Sequence, residues 1–203
     1  MSKLYFRYGA MNCGKSTNLQ QVAYNYKERG MQAIILKPRV DTKGGNHVVS
    51  RLGVTREVDI LIGANENVVE LIETWTKEND GIKPNCILVD EAQFMKKEQI
   101  DQLFQIAVCM DIPTICYGLR TDFLMNGFEG SERLLLLAHS IEELKTICTC
   151  GRKATLNGRK INGEYVFEGE QVAIDQENNV EYQSLCPDCY FKYKEEHNGK
   201  KND

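Results

Sequence analysis

The chain has no surplus of positive charge: 25 Lys and Arg stand against 29 Asp and Glu, a formal net charge of −4. That balance argues against a general nucleic-acid coat, which needs a basic surface to displace condensed counterions, so no nucleic-acid partner is expected. No apolar run approaches the roughly 18–20 residues needed to cross a bilayer. The opening MSKLYFRYG lacks the apolar stretch of a signal peptide. A cytoplasmic location without a membrane partner is therefore expected. There is no internal repeat and no low-complexity linker. No NKxD-like guanine reader occurs, so a GTPase switch would lack its usual base-recognition element. What remains is ordinary for a globular protein: 203 residues, 42% hydrophobic and 27% charged, enough for one medium domain with a small appendage.

The first half alternates strand and helix. The run KLYFRYG reads as a strand leading into a turn. From Lys15 the apolar set Leu19, Val22, Ala23 and Tyr26 recurs at helical spacing and should stop at Gly30. QAIILKP, NCILVDE and PTICYGL read as buried strands. Val68, Leu71, Ile72 and Trp75 predict a second helix, and Ile100, Leu103, Phe104 and Ala107 a third; residues 41–47 read as loop. Continuous apolar strands separated by amphipathic helices predict an α/β fold, a parallel-sheet core with helices on both faces. Character changes near residue 145, where Gly151, Gly158, Gly163 and Gly169, a hairpin-like INGEYVFEGEQVAI and clustered cysteines predict a small β-rich unit. The expected division is a P-loop α/β domain over 1–144, a zinc-binding unit over 145–193 and a fraying polar tail over 194–203.

The stretch YGAMNCGKSTN places Gly9, four free positions, then Gly14, Lys15 and Ser16 between a strand and a helix, the spacing of a phosphate-cradling P-loop. Backbone N–H groups of residues 9–17 (Gly9, Ala10, Met11, Asn12, Cys13, Gly14, Lys15, Ser16 and Thr17) would then face the phosphates of a nucleoside triphosphate. Lys15 would add a point charge and Ser16 a hydroxyl for Mg²⁺. CILVDEAQF supplies a partner: Asp90 ends a buried strand, where ligands sit in open α/β sheets, and would hold the Mg²⁺. Glu91 follows and leaves the strand end in another direction, free to accept a proton. In an ATPase it would polarise water; in a kinase it would take a proton from a substrate hydroxyl. Phe94, Phe123 and Phe128 collect beside this chemistry and suit a flat base as acceptor. A P-loop ATPase and a zinc-ribbon adapter that binds nucleic acid stay open beside the kinase. Cys13, among P-loop amides near a helix N-terminus, would either react readily or contribute only its backbone.

Of the eight cysteines, Cys148 and Cys150 form CTC, and Cys186 and Cys189 form CPDC. Four thiolates in one compact unit suit tetrahedral Zn²⁺ with no open position, a structural site; a disulfide or two unrelated pairs is the alternative. His197 is a weaker ligand candidate. Cys86, Cys109 and Cys116 lie in apolar runs and read as core.

GAMNCGKST, LVDEAQF, LRTDF followed by GFEGS, GEQV and the paired cysteines stand together, over residues 4 to 191, in the order of the thymidine kinase family found in bacteria and animal cytosol, which the chain resembles. The resemblance implies phosphoryl transfer from ATP to the 5′-hydroxyl of thymidine, with deoxyuridine an alternative acceptor, and Glu91 as general base. It implies that Asp41 and Lys43 lie near the acceptor's 5′ end and Arg159 near the phosphates. Met11, Phe94, Leu119, Phe123 and Phe128 would surround the base, and Tyr182 would belong to a loop that runs over thymidine. It also implies a homotetramer and inhibition by thymidine triphosphate. Asn12-Cys13 stands where the family usually has Phe-Ser, Lys43 where it has Arg, and DQENNVE where it has a shorter stretch with a Gly-Gly pair.

Overall fold

A computed structural model describes residues 1–39, 47–49, 53, 55–171 and 179–202. In chain order its elements are β1 (Leu4–Tyr8), α1 (Lys15–Glu28), β2 (Ala33–Pro38), β3 (His47–Val49), β4 (Thr55–Glu57), β5 (Ile60–Ile62), α2 (Val68–Glu78) and β6 (Cys86–Val89). A 3₁₀ turn (Ala92–Phe94) follows, then α3 (Lys97–Cys109), β7 (Thr114–Gly118), α4 (Glu129–Leu137), β8 (Ser140–Glu143) and β9 (Thr146–Ile147). The chain continues with β10 (Lys153–Ala154), β11 (Leu156–Ile161), β12 (Glu164–Val166), β13 (Val180–Leu185) and α5 (Pro187–Asn202).

Six strands form one sheet in the order β5-β2-β6-β7-β1-β8, and every pair is parallel. Strands β2, β6 and β7 are buried along their whole length, which is why their sequences are continuous apolar runs rather than alternating ones. Alternate side chains still serve different faces. Ile34, Leu36, Ile87 and Val89 pack with Ile72 of α2, Leu103 of α3 and Leu134 of α4. Ala33, Ile35, Cys86 and Leu88 pack with Leu19 and Ala23 of α1 on the other side. Each such fully buried aliphatic side chain contributes about 1.5–3 kcal/mol over its exposed state.

Helix α1 ends where the sequence predicts. Gly30 has φ 69°, and the bonds Gly30 N–H to Lys27 O and Met31 N–H to Tyr26 O close the last turn as a Schellman cap. No sequence pattern marks β8, whose residues are mostly exposed at the sheet edge. His47, placed in a loop by sequence, begins the short hairpin of β3 and β4. Cys86 and Cys116 are core residues, and burial pushes both thiols up, Cys86 to about 11. Cys109 corrects the expectation: it is exposed, the last residue of α3, on the helix face turned from the sheet.

The small lobe is a three-stranded antiparallel sheet in the order β12-β11-β13 beside the two-stranded pair of β9 and β10. Asn162 (φ 50°) and Gly163 (φ 84°) make the tight turn between β11 and β12, a two-residue hairpin that needs positive φ at both positions. The tail expected to fray from 194 is helical through Asn202. Tyr190, Tyr193 and His197 recur at helical spacing along α5. They meet Phe167 and Tyr165: Tyr193 stacks on Tyr165 at 4.3 Å, and Tyr190 and His197 meet Phe167 edge-on at 5.3 and 5.7 Å. That aromatic seam explains why so polar a segment stays helical. Among the described residues no helix is long and apolar enough to cross a membrane.

Candidate active site

The sheet order puts β7 between β6 and β1, so the loops after these three strands are neighbours at the C-terminal edge. Residues 9–14 leave β1 through a turn with Asn12 at φ 65° and Gly14 at φ 82°. Gly9 is pinned to the sheet by its N–H on Gly118 O at 3.3 Å. A Cβ at Gly9 would fall 2.4 Å from Leu144 O and 2.5 Å from Cys13 Sγ, so no other residue fits there without moving backbone. Helix α1 then starts at Lys15 with no acid in its first turn and no side-chain cap, which leaves its first N–H groups to an anion. The Lys15 ammonium lies inside the loop, donating to Gly9 O at 3.3 Å, Ala10 O at 3.0 Å and Cys13 Sγ at 3.5 Å.

Asp90 is 4% exposed at the end of β6, its N–H on Leu36 O. Glu91 turns the chain sharply with φ 49°, a left-handed conformation that costs a non-glycine residue about 1 kcal/mol or more. Its Oε2 accepts from Gln93 Nε2 at 2.5 Å. Leu119 begins the loop after β7. Asp122 organises that loop by accepting from the N–H groups of Leu124 and Asn126, both at 2.8 Å.

The aromatic residues divide. Phe94 and Phe128 meet edge-to-face at 5.6 Å. Phe123 is 1% exposed and lies apart from them under the Arg159 guanidinium, 3.6 Å from its ring centre. Arg159, itself buried, also donates to Glu170 O and Glu168 O, both at 2.9 Å. It therefore ties the small lobe to the 119–128 loop. Tyr182 sits opposite Arg159 on β13. Met11 is half-buried with its N–H on Asn157. Asp41 and Lys43 lie outside the described residues.

Cys148, Cys150, Cys186 and Cys189 hold their sulfurs within 4.8 Å of one another and all four are free thiols. Cys150 Sγ and Cys186 Sγ are 3.5 Å apart, far beyond a disulfide bond and close to the roughly 3.8 Å between thiolates that share a tetrahedral ion. Gly151 (φ 84°) sends its N–H back to Cys148 O at 2.8 Å and so lets the CTC pair converge. Burial opposes ionisation of Cys148, yet hydrogen bonds from Cys150 and Cys186 prevail and draw it down to about 6. Cys189, facing the Cys150 and Cys186 thiols, is pushed up to about 12. Four thiols so placed cannot all ionise without a cation among them. They are positioned to bind a metal, and His197 lies outside the cluster against Phe167.

A sequence model described as thymidine kinase matches residues 2–190. A thymidine kinase of Rhodopirellula baltica is 47% identical over 188 residues, 92% of this chain and 86% of the relative. One from Shewanella oneidensis is 46% identical over 188 residues, 92% and 95% of the two chains. One from Mannheimia succiniciproducens is 45% identical over 199 residues, 96% and 97%. This chain belongs to the thymidine kinase family. Within this family member, sequence reasoning missed Asn157, 3% exposed on β11. Its Oδ1 accepts from Met11 N–H at 2.7 Å and its Nδ2 donates to Thr121 O at 3.0 Å, joining P-loop, 119–128 loop and small lobe. Gln93, 2% exposed, was missed too. Both stand in otherwise apolar or backbone-dominated surroundings, and a lone amide in a strand or turn carries no periodic signal.

Proposed function

We propose that the chain transfers the γ-phosphoryl group of ATP to the 5′-hydroxyl of thymidine, giving thymidine monophosphate and ADP. It is an enzyme, a kinase of the thymidine kinase family. The observation that carries the residue assignment is the placement of Glu91. It stands at the end of β6, with only β7 between it and the P-loop strand, in a turn that points it off the strand line.

In this reading the Glu91 carboxylate takes the proton of the 5′-hydroxyl. The oxygen attacks the γ-phosphorus in line, and the bond to the β–γ bridging oxygen breaks with ADP as leaving group. The amides of residues 9–17 and the first turn of α1 cradle the donor phosphates. Lys15 exchanges its loop carbonyls for phosphate oxygens. Ser16 and Asp90 would hold Mg²⁺, which would neutralise charge on the phosphates. Met11, Phe94, Leu119 and Phe128 line the base, and Phe123, packed under Arg159, stiffens the 119–128 loop. Asp41 and Lys43 serve the acceptor's 5′ end, and Arg159 and Tyr182 act from the small lobe. The four cysteines hold structural Zn²⁺. Inhibition by thymidine triphosphate, a homotetramer, a cytoplasmic location and use of deoxyuridine belong to the same reading.

A panel of nucleosides with γ-labelled ATP tests it. Label should appear in thymidine monophosphate, and Glu91→Gln should lose kcat by a factor of roughly 10² or more while ATP still binds. Steady ATP hydrolysis that no nucleoside alters would overturn the kinase reading in favour of water as acceptor.

A further inference from the structure

Glu91 holds a backbone conformation that a glutamate does not choose, so its surroundings must impose it. Its carboxylate is met by a side chain two residues on. Gln93 lies in the 3₁₀ turn, and its Oε1 accepts from Leu119 N–H at 3.1 Å. That bond decides which end of the amide is oxygen, because the backbone N–H can only donate. Nε2 is thereby turned to the Glu91 carboxylate, 2.5 Å from Oε2. The next peptide is fixed as well, where the buried Ser131 Oγ donates to Leu119 O at 2.5 Å. Three hydrogen bonds thus link α4 to Leu119, Leu119 to Gln93 and Gln93 to Glu91.

The backbone is shaped to admit it. A Cβ at Gly118 would lie 2.8 Å from Gln93 Oε1, and one at Gly130 would lie 2.5 Å from Ala92 O and 3.1 Å from Gln93 O. Two glycines, one closing β7 and one opening α4, let these elements press against the turn that carries the acid. The two bonds of the Gln93 amide are in series, and in a buried setting such bonds strengthen one another.

We propose that Gln93 is a positioning residue for the reaction. It occupies one oxygen of the Glu91 carboxylate, aims the other at the acceptor hydroxyl, and couples that aim to Leu119, a residue of the loop that receives the acceptor. The inference rests on the reading of Glu91 as the base. It extends that reading by naming what holds the base.

The test is a double-mutant cycle with steady-state kinetics. Gln93→Met keeps the side-chain volume and removes both polar atoms. Gln93→Glu keeps an acceptor for Leu119 N–H, removes the donor and sets a like charge beside Glu91, so it probes the same bond should Gln93→Met fail to fold. Both should lower kcat for thymidine phosphorylation about 10- to 100-fold, with KM for thymidine and for MgATP within about three-fold of the parent. In a Glu91→Gln background either change should lower the residual kcat by less than about two-fold, because the group that Gln93 aims is already gone. The inference is overturned if folded Gln93→Met and Gln93→Glu both retain kcat within two-fold. It is equally overturned if they cost the same factor with and without Glu91, which is the behaviour of a residue that only supports the fold. Near-normal turnover by Glu91→Gln alone has a different meaning: it removes Glu91 as base, and the reading of the site fails before its positioning is in question.

Discussion

In the six-stranded sheet, Leu36, Val89 and Cys116 are fully buried among neighbours that are themselves fully buried, across several strands and three helices. In the small lobe the corresponding cluster is Cys148, Ala154, Leu185, Cys186 and Tyr190, and two of these five are cysteines of the sulfur cluster. The larger region can repay its chain entropy from apolar burial, whereas the smaller one has little such core, and its four cysteines are positioned to bind a metal that would supply the difference. The lobe's buried polar residues tell the same story. Asn157 and Arg159 make their bonds largely toward the P-loop and the 119–128 loop or beneath the adjoining chain. Tyr190 donates to Phe123 O at 2.8 Å, and Gln171 Nε2 reaches Asp122 Oδ2 and Gly127 O, both at 3.2 Å. The sheet edge therefore carries Glu91 and the turn of residues 9–14, and the lobe bonds to the loops between them, as a clamp would in the proposed reading.

Removing the metal is the strongest way to break this contrast. Cys186→Ser, or chelation of the intact protein, should disorder residues beyond about 145 and reduce thymidine phosphorylation to a few per cent or less. The sheet should persist, because metal binding contributes on the order of 10 kcal/mol to such lobes and nothing to the sheet. Limited proteolysis with zinc quantitation reads both halves at once. Full activity and undiminished protease resistance in Cys186→Ser would mean the lobe has a sufficient core after all. Next in size is Gly130→Ala, which attacks the sheet side. Its Cβ would meet Ala92 O at 2.5 Å and Met95 O at 2.8 Å, both backbone atoms that cannot swing aside. A loss of about 1–3 kcal/mol in a urea titration is expected, together with a fall in kcat as the turn carrying Glu91 moves. An unaltered urea midpoint would show that α4 is free to back away.

The two regions also differ in how far their sequences reveal them. Strands β2, β6 and β7 announce themselves as unbroken apolar runs because both faces are covered, and the P-loop and the acids follow at the strand ends where that topology demands them. Strand β8 is polar and edge-exposed, so neither run nor alternation marks it. In the lobe the cysteines were legible by spacing, and the Asn162-Gly163 turn by its chemistry, but the extent of α5 was not. Its polar residues outnumber the aromatic ones, and the helix depends on Tyr190, Tyr193 and His197 finding Tyr165 and Phe167 on a different element. Phe123 shows the limit of grouping residues by type. It shares a loop with Phe128 yet lies beneath Arg159, a partner 36 residues later that no local pattern discloses. Asn157 was illegible for the same reason, since its partners are backbone groups of distant turns, and so was Gln93, one of whose partners is the N–H of Leu119 in the loop after β7.

Asn157 measures the clamp itself. Asn157→Leu removes both of its bonds while keeping its branched outline, and leaves Met11 N–H and Thr121 O without their partner. Losing such a buried pair costs about 1–3 kcal/mol. If the lobe serves to set the loops, much of that should appear as a rise of roughly ten-fold in KM for MgATP or thymidine, with kcat less affected. A drop in Tm with unchanged kinetics would instead make Asn157 ordinary lobe packing.

The smallest effect belongs to a contact that looks strong on geometry alone. Arg133 Nε lies 2.6 Å from Asp101 Oδ1 and joins α4 to α3 on the sheet side. The pair is open to solvent, with side chains 36% and 46% exposed, so each ion keeps much of its hydration and salt screens what attraction is left. Arg133 is raised above its ordinary value by its hydrogen bond to Asp101. An arginine stays charged throughout the working range of pH whether or not it is paired, so that shift adds no pH dependence to stability. Arg133→Ala should therefore move Tm by less than about 2 °C and leave kcat and KM unchanged, at low salt as at high. Arg159 makes the contrast, since its guanidinium is buried against Phe123 and two carbonyls with no solvent to take their place. Were Arg133→Ala to cost as much as Asn157→Leu, the sheet side would depend on individual surface ties no less than the lobe does, and the distinction between a self-sufficient core and a clamped lobe would not stand.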